Sequence, residues 1–199
     1  NNLSQMYNEI SECRTSKNLK PFISHLMPHT WDKRIIKFAK LPSIINLVEI
    51  ILGNKVDLLH SQITFKAPGD VGFSLHQDNY YNQADPIDSI TAAWIAIDNS
   101  DDKNGTLITY PFSHKEGILP VKRNWRYIAK KAPNLIIKKL IKLITKGNDS
   151  YYQKSGVVEQ FANSIVPKKY KPINLNLKAG GIAFMHGNLV HCSGKNLSK

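Results

Sequence analysis

At Gly53 the apolar residues of this chain change their spacing, and that change limits the fold more than any other feature. Before it, "PSIINLVEIILG" carries apolar residues at helical intervals, with Pro42 at the first helical position and Gly53 as a stop. After it the signals are those of strands. "VDLLHSQITFKAPGD" ends in Pro68-Gly69, "SITAAWIAID" is a β-prone run closed by the turn-rich "NSDDKNG", and "TLITYPFSH" reads as another short strand. From about 121 to 146, "VKRNWRYIAKKAPNLIIKKLIKLITKG" is helical again, with Pro133 as a break and Gly147 as a stop. The remainder, "PINLNLKAGGIAFMHGNLVHCSG", returns to strands joined at Ala179-Gly180-Gly181 and at Gly187-Asn188. Helices, strands, a helical excursion and strands again make the order of an α+β chain on an antiparallel sheet or barrel. Residues 1–55 are expected to be mainly helical support, and 121–170 a helical insertion placed to act as a lid.

Length and composition narrow the class. With 199 residues, no internal repeat and no low-complexity linker, 1–199 is expected to be one domain with a substantial core. Two cysteines, Cys13 and Cys192, are too few for a disulfide framework, so a reducing, cytoplasmic setting is the default. No apolar run reaches the roughly 18 residues of a membrane span. The net charge of +12 raises the question of a polyanionic partner. Yet only Arg14, Arg34, Arg123 and Arg126 are arginines, and lysine, isoleucine and asparagine are common throughout. A phosphate groove favours arginine forks, so the charge reads as a compositional bias and nucleic acid is not the expected partner.

The chemistry is concentrated in "FSLHQDNYYN", residues 73 to 82. Read as a strand, it sets His76 and Asp78 on one face, two residues apart. Such a pair offers two ligands to a divalent metal. A histidine from a distant strand would complete a 2-His-1-carboxylate triad, a set that leaves coordination positions open and suits non-haem Fe(II). "FMHGNLVHCSGKN" offers two candidates, His186 and His191.

Three blocks in order, "HQD", "TAAWIAIDNSDDKNGTLITYPFSHKEG" and "GGIAFMHGNLVHCSGKN", resemble the phytanoyl-CoA dioxygenase family of Fe(II)/2-oxoglutarate oxygenases, from about residue 40 to 197. The resemblance implies a jelly-roll core, a double-stranded β-helix, with N-terminal helices and the helical insertion between its two β halves. It implies His76, Asp78 and His191 as iron ligands, with His186 matching a histidine of the same block that does not bind metal. Co-substrate contacts are implied at Trp94, Gln62 and Ser193, and more distantly at His25. His114 belongs to a structural turn, and Tyr80 and Tyr81 either line the pocket mouth or pack. The family holds the far carboxylate of 2-oxoglutarate with an arginine shortly after the H-x-S-G-x-N block. This sequence begins at Asn1 and stops at Lys199, before that arginine, so a segment of a longer chain is expected.

The activity implied is hydroxylation of a small molecule by O2, with 2-oxoglutarate converted to succinate and CO2. Related halogenases lose the carboxylate of the triad, and Asp78 retains it. Lys130, Lys131, Lys138, Lys139 and Lys142 read as the solvated face of an amphipathic helix whose apolar side is Leu135, Ile136, Leu140 and Leu143. Their functional version is reception of an anionic substrate group. Two rivals stand beside this reading: a nucleobase-repair dioxygenase, favoured by charge alone, and a non-catalytic ligand-binding homologue.

Overall fold

A computed structural model of the chain describes residues 23–123, 157–158 and 162–199. Helix α1 (Lys33–Ala39) starts at Asp32, whose carboxylate accepts the Arg34 amide at 2.9 Å. Helix α2 (Pro42–Leu52) follows with Pro42 in its first turn, and Gly53 closes it at φ 67, a left-handed conformation that costs glycine least. Its bounds are those the sequence predicts. The N-terminal part is not helical throughout, because Ile23–Leu26 forms β1, paired antiparallel with β2 (Gln62–Phe65). In β2 the buried Ile63 and Phe65 alternate with exposed Gln62 and Thr64, the pattern of a half-covered strand. Residues 1–22 lie outside the described residues.

The main sheet takes strands from both β halves. Its order is β7 (Val157–Val158), β3 (Gly72–His76), β11 (His191–Ser193), β5 (Leu107–Thr109) and β9 (Ile173–Asn174). All neighbours are antiparallel except β7 and β3. A second sheet pairs β4 (Thr91–Ile95) with β10 (Ile182–His186), and helix α2 packs on β4 with Ile44 buried. Residues 187–190 therefore do not close a hairpin. They carry the chain from β10 in one sheet to β11 in the other.

The buried interior mixes apolar and polar side chains. Val190, Met185, Ala96, Leu119, Ile63 and Phe65 are joined by Gln77, Asn79, Asn188 and Ser113, all four of which are fully buried. Buried amides call for partners, and those of Gln77 and Asn79 find theirs at Asn188 in the 187–190 turn.

Two sequence expectations need correction. "FSLHQDNYYN" is not one strand: β3 ends at His76, and Asp78–Asn82 is a short helix, α3. The cause is tertiary, since the Asn79 amide is drawn to Gly187 O at 2.9 Å instead of to a strand neighbour. Nor are the described flanks of 121–170 helical. Val121–Arg123 (β6) pairs antiparallel with Ala162–Ser164 (β8), and β7 joins the main sheet. The rest of that segment, 124–156 and 159–161, with Pro133, Gly147 and the lysines assigned to it, lies outside the described residues. Among the described residues, no helix is long and apolar enough to cross a membrane.

Candidate metal centre

β3 and β11 bring His76 directly opposite His191, with ring centroids 4.2 Å apart. The turn at Gln77 swings Asp78 round, so that its Oδ1 lies 3.6 Å from His76 Nε2 and 3.7 Å from His191 Nε2. The strand-face argument for the His-X-Asp pair does not hold, but the convergence does. Among the described residues this is the only trio of His, Cys, Asp or Glu donors so grouped, all within 4.8 Å of one another. An ion roughly 2.1 Å from each donor bridges up to about 4.2 Å, enough for the 3.6 and 3.7 Å from Asp78 to the two rings.

The protonation of the donors also fits a cation. His76 Nδ1 lies 2.8 Å from Ser74 O, and His191 Nδ1 lies 3.0 Å from Leu189 O. A carbonyl can only accept, so each Nδ1 holds the proton and each Nε2 turns a lone pair toward Asp78. Burial, reinforced by His191 and opposed by Asp78, pulls His76 down to about 4. His76 is thus a neutral ligand at ordinary pH. Two imidazoles and one carboxylate make the facial set that leaves three octahedral positions open and suits ferrous iron.

The residues flanking Asp78 hold it in place, and neither is among the site residues expected from the sequence. Gln77 donates through Nε2 to Gly117 O at 2.8 Å and Asn188 O at 2.5 Å, while its Oε1 accepts the Leu119 amide at 2.8 Å. Asn79 donates to Ile87 O and Asn188 Oδ1 and accepts the Ala84 amide. The two residues on either side of the carboxylate are therefore bolted to the turn leading to His191. A polar residue on each side of a candidate ligand is the signal that could have pointed to them.

His186 is engaged elsewhere. Its Nδ1 accepts the Asn188 amide at 3.0 Å, which leaves the proton on Nε2, 3.2 Å from Asp88 Oδ1. Its ring stacks on His114 at 5.1 Å. It sits in the β4–β10 sheet and His191 in the other, so one turn separates two histidines of unlike role.

Ser193 is next to the centre, two residues beyond His191 on β11, where its Oγ accepts the Phe73 amide at 3.0 Å. Trp94 lies mid-β4 opposite Ala183, on the face it shares by alternation with buried Ala96 and Met185, in the sheet that does not carry the ligands. Gln62 is on the exposed side of β2 and donates to Thr64 Oγ1 at 3.0 Å. His25 pairs with Ile63 in the β1–β2 ladder, and its side chain is outside the described residues. Tyr81 ties α3 to β8 by donating to Ala162 O at 3.0 Å, and Tyr80 packs edge-on against it. One residue not singled out from the sequence is prominent: Lys66, whose Nζ donates to Ser193 Oγ at 2.8 Å.

A family model for phytanoyl-CoA dioxygenase (PhyH) matches residues 8–199. The peroxisomal phytanoyl-CoA dioxygenase of Bos taurus is 26% identical over 184 residues, 89% of this chain and 46% of that protein. The phytanoyl-CoA dioxygenase of Arabidopsis thaliana is 32% identical over 142 residues, 71% of this chain and 40% of that protein. The chain thus spans about half the length of the curated relatives it matches. Among solved structures, the non-heme alpha ketoglutarate dependent carbocyclase SnoK from nogalamycin biosynthesis superposes with a TM-score of 0.59 at 15% identity, over 89% of this chain and 59% of that one. EctD from S. alaskensis, solved with 2-oxoglutarate and 5-hydroxyectoine, gives 0.58 at 13% identity, over 88% and 51%. Likeness at such identity is likeness of fold, here that of jelly-roll oxygenases.

Proposed function

The chain belongs to the phytanoyl-CoA dioxygenase family, and on that premise we propose that it is an Fe(II)- and 2-oxoglutarate-dependent dioxygenase that hydroxylates a small molecule. The observation that carries the reading is the convergence of His76, Asp78 and His191 with both Nδ1 protons tied to backbone carbonyls. Iron held by these three side chains supplies oxygen activation coupled to decarboxylation of 2-oxoglutarate, giving succinate, CO2 and a hydroxylated product.

The chain's own residues bind, orient and position. His76 and His191 present neutral nitrogen donors, and Asp78 supplies the one carboxylate and its negative charge. Ser74 O and Leu189 O fix the plane and tautomer of the two rings, which raises their basicity as ligands. Gln77 and Asn79 keep Asp78 aimed at the rings. Ser193 is placed to donate to the far carboxylate of 2-oxoglutarate, as its position beside His191 supports. Trp94 and Gln62 are carried as further co-substrate contacts on the family pattern. Retention of Asp78 supports hydroxylation over halogenation, because its carboxylate fills the position a halide would need.

Anaerobic addition of Fe(II) and then 2-oxoglutarate should produce a visible charge-transfer absorption that His191→Ala lacks. Exposure to O2 with a panel of small molecules should then reveal substrate-stimulated succinate. A wild-type chain that binds neither Fe(II) nor 2-oxoglutarate overturns the reading.

A further inference from the structure

The tail of the last motif, "HCSGKN", closes around Lys66, the residue directly after β2. Lys66 Nζ donates to Ser193 Oγ at 2.8 Å, to Gly194 O at 2.8 Å and to Gly105 O at 3.0 Å. An ammonium has three protons, so all are placed and the cation is fixed. Asn196 Nδ2 donates to Lys66 O at 2.8 Å, so the same tail also grips the lysine's backbone. Gly105 makes room for it: at φ 83, a Cβ there would come within 2.8 Å of Lys66 Cδ and 2.7 Å of Gly194 O.

Two consequences follow. Ser193 Oγ accepts from both Lys66 Nζ and the Phe73 amide, which uses both of its lone pairs. The group it has left to offer is its proton. Lys66 is half-buried among neutral oxygens, and among the described residues no carboxylate pairs with it. A partly desolvated cation without an anion of its own is a standing invitation to an anionic ligand.

We propose that Lys66 is a positioning residue for the co-substrate: it turns Ser193 into an obligate donor and sets a positive charge one atom behind the hydroxyl that meets the far carboxylate of the 2-oxo acid. This rests on reading the centre as a 2-oxoglutarate site.

The test compares 2-oxoglutarate with 2-oxovalerate, which has the same carbon chain but no far carboxylate. Calorimetric titration of the Co(II)-loaded chain without O2 gives the two dissociation constants for wild type, Lys66→Met, Ser193→Ala and the double variant. Loss of a hydrogen bond to a charged group is expected to weaken 2-oxoglutarate roughly tenfold in Lys66→Met. Its binding of 2-oxovalerate and of Co(II) should stay as in wild type. The double variant should be no weaker than Ser193→Ala alone, as for two residues acting through one contact. Equal weakening of both oxo acids would make Lys66 merely structural, and unchanged 2-oxoglutarate binding would also overturn the proposal. If Lys66→Met fails to fold, Ser193→Ala decides: it must lose selectivity for 2-oxoglutarate over 2-oxovalerate. A wild type that binds no 2-oxoglutarate removes the site reading and this proposal together, whereas wild-type binding matched by both variants removes this proposal alone.

Discussion

Gln77 donates its side-chain amide to Asn188 O at 2.5 Å, joining the residue between His76 and Asp78 to the turn that leads to His191. The three candidate ligands thus share a frame built of buried amides, and the frame is as testable as they are.

Gln77→Ala removes a fully buried side chain and strands the Leu119 amide and two carbonyls. At 1–3 kcal/mol for a stranded buried group, the expected loss is about 3 kcal/mol. Affinity for Co(II) should fall roughly tenfold, as it does when outer partners of metal ligands are removed. Urea denaturation and metal titration check the two effects. A variant with wild-type metal affinity would show that Asp78 needs no such support.

Asp78→Ala and His191→Ala should lose Fe(II) binding and all substrate-dependent succinate formation, because each removes one of only three donors. His186→Ala is the control. Its imidazole faces Asp88 and His114, so the metal titration should match wild type.

Gly72→Ala should be far more harmful than Gly180→Ala. A Cβ on Gly72 would overlap Ser193 O and sit 3.1 Å from Gly194 C, backbone atoms at the end of the strand that carries His191 and just beyond it. The expected cost is about 3 kcal/mol, the upper range for overpacking. Gly180 has φ 83 and open space around it, so alanine there meets only the left-handed penalty of about 1 kcal/mol. Equal losses in thermal unfolding would contradict the packing argument.

Lys66 makes stability depend on alkaline pH in a defined direction. Burial pulls its ammonium from 10.5 down to about 8. Between those values the unfolded chain holds more protons than the folded one, so stability rises with pH across the window. Below about 8 both states are protonated and the penalty for burying the charge is constant. The unfolding free energy of wild type minus that of Lys66→Met should therefore increase from pH 8 to 10.5, with other titrating groups cancelling. A flat or falling difference would place the lysine in a wetter setting.

What the sequence made legible was local or carried by motif. Pro42 and Gly53 bound α2 because proline at a first turn and a left-handed glycine at an end act within a few residues. His76, Asp78 and His191 were legible through three blocks in order, though the face-sharing strand that seemed to unite the first two ends before Asp78. The turn there depends on Gly187, far along the chain, and no local propensity encodes that. Lys66 was hidden for the same reason, since its partner Ser193 is 127 residues away. In sequence it was one lysine among many in a chain rich in them.

The ladder between Val121–Arg123 and Ala162–Ser164 joins the two ends of the stretch between them, and its second strand lies against β3, which carries His76. Doubling the length of an enclosed stretch adds only about 0.6 kcal/mol of closure entropy. Lengthening, trimming or replacing residues between those two strands is therefore expected to cost the fold little, provided Val157 and Val158 still pair with β3.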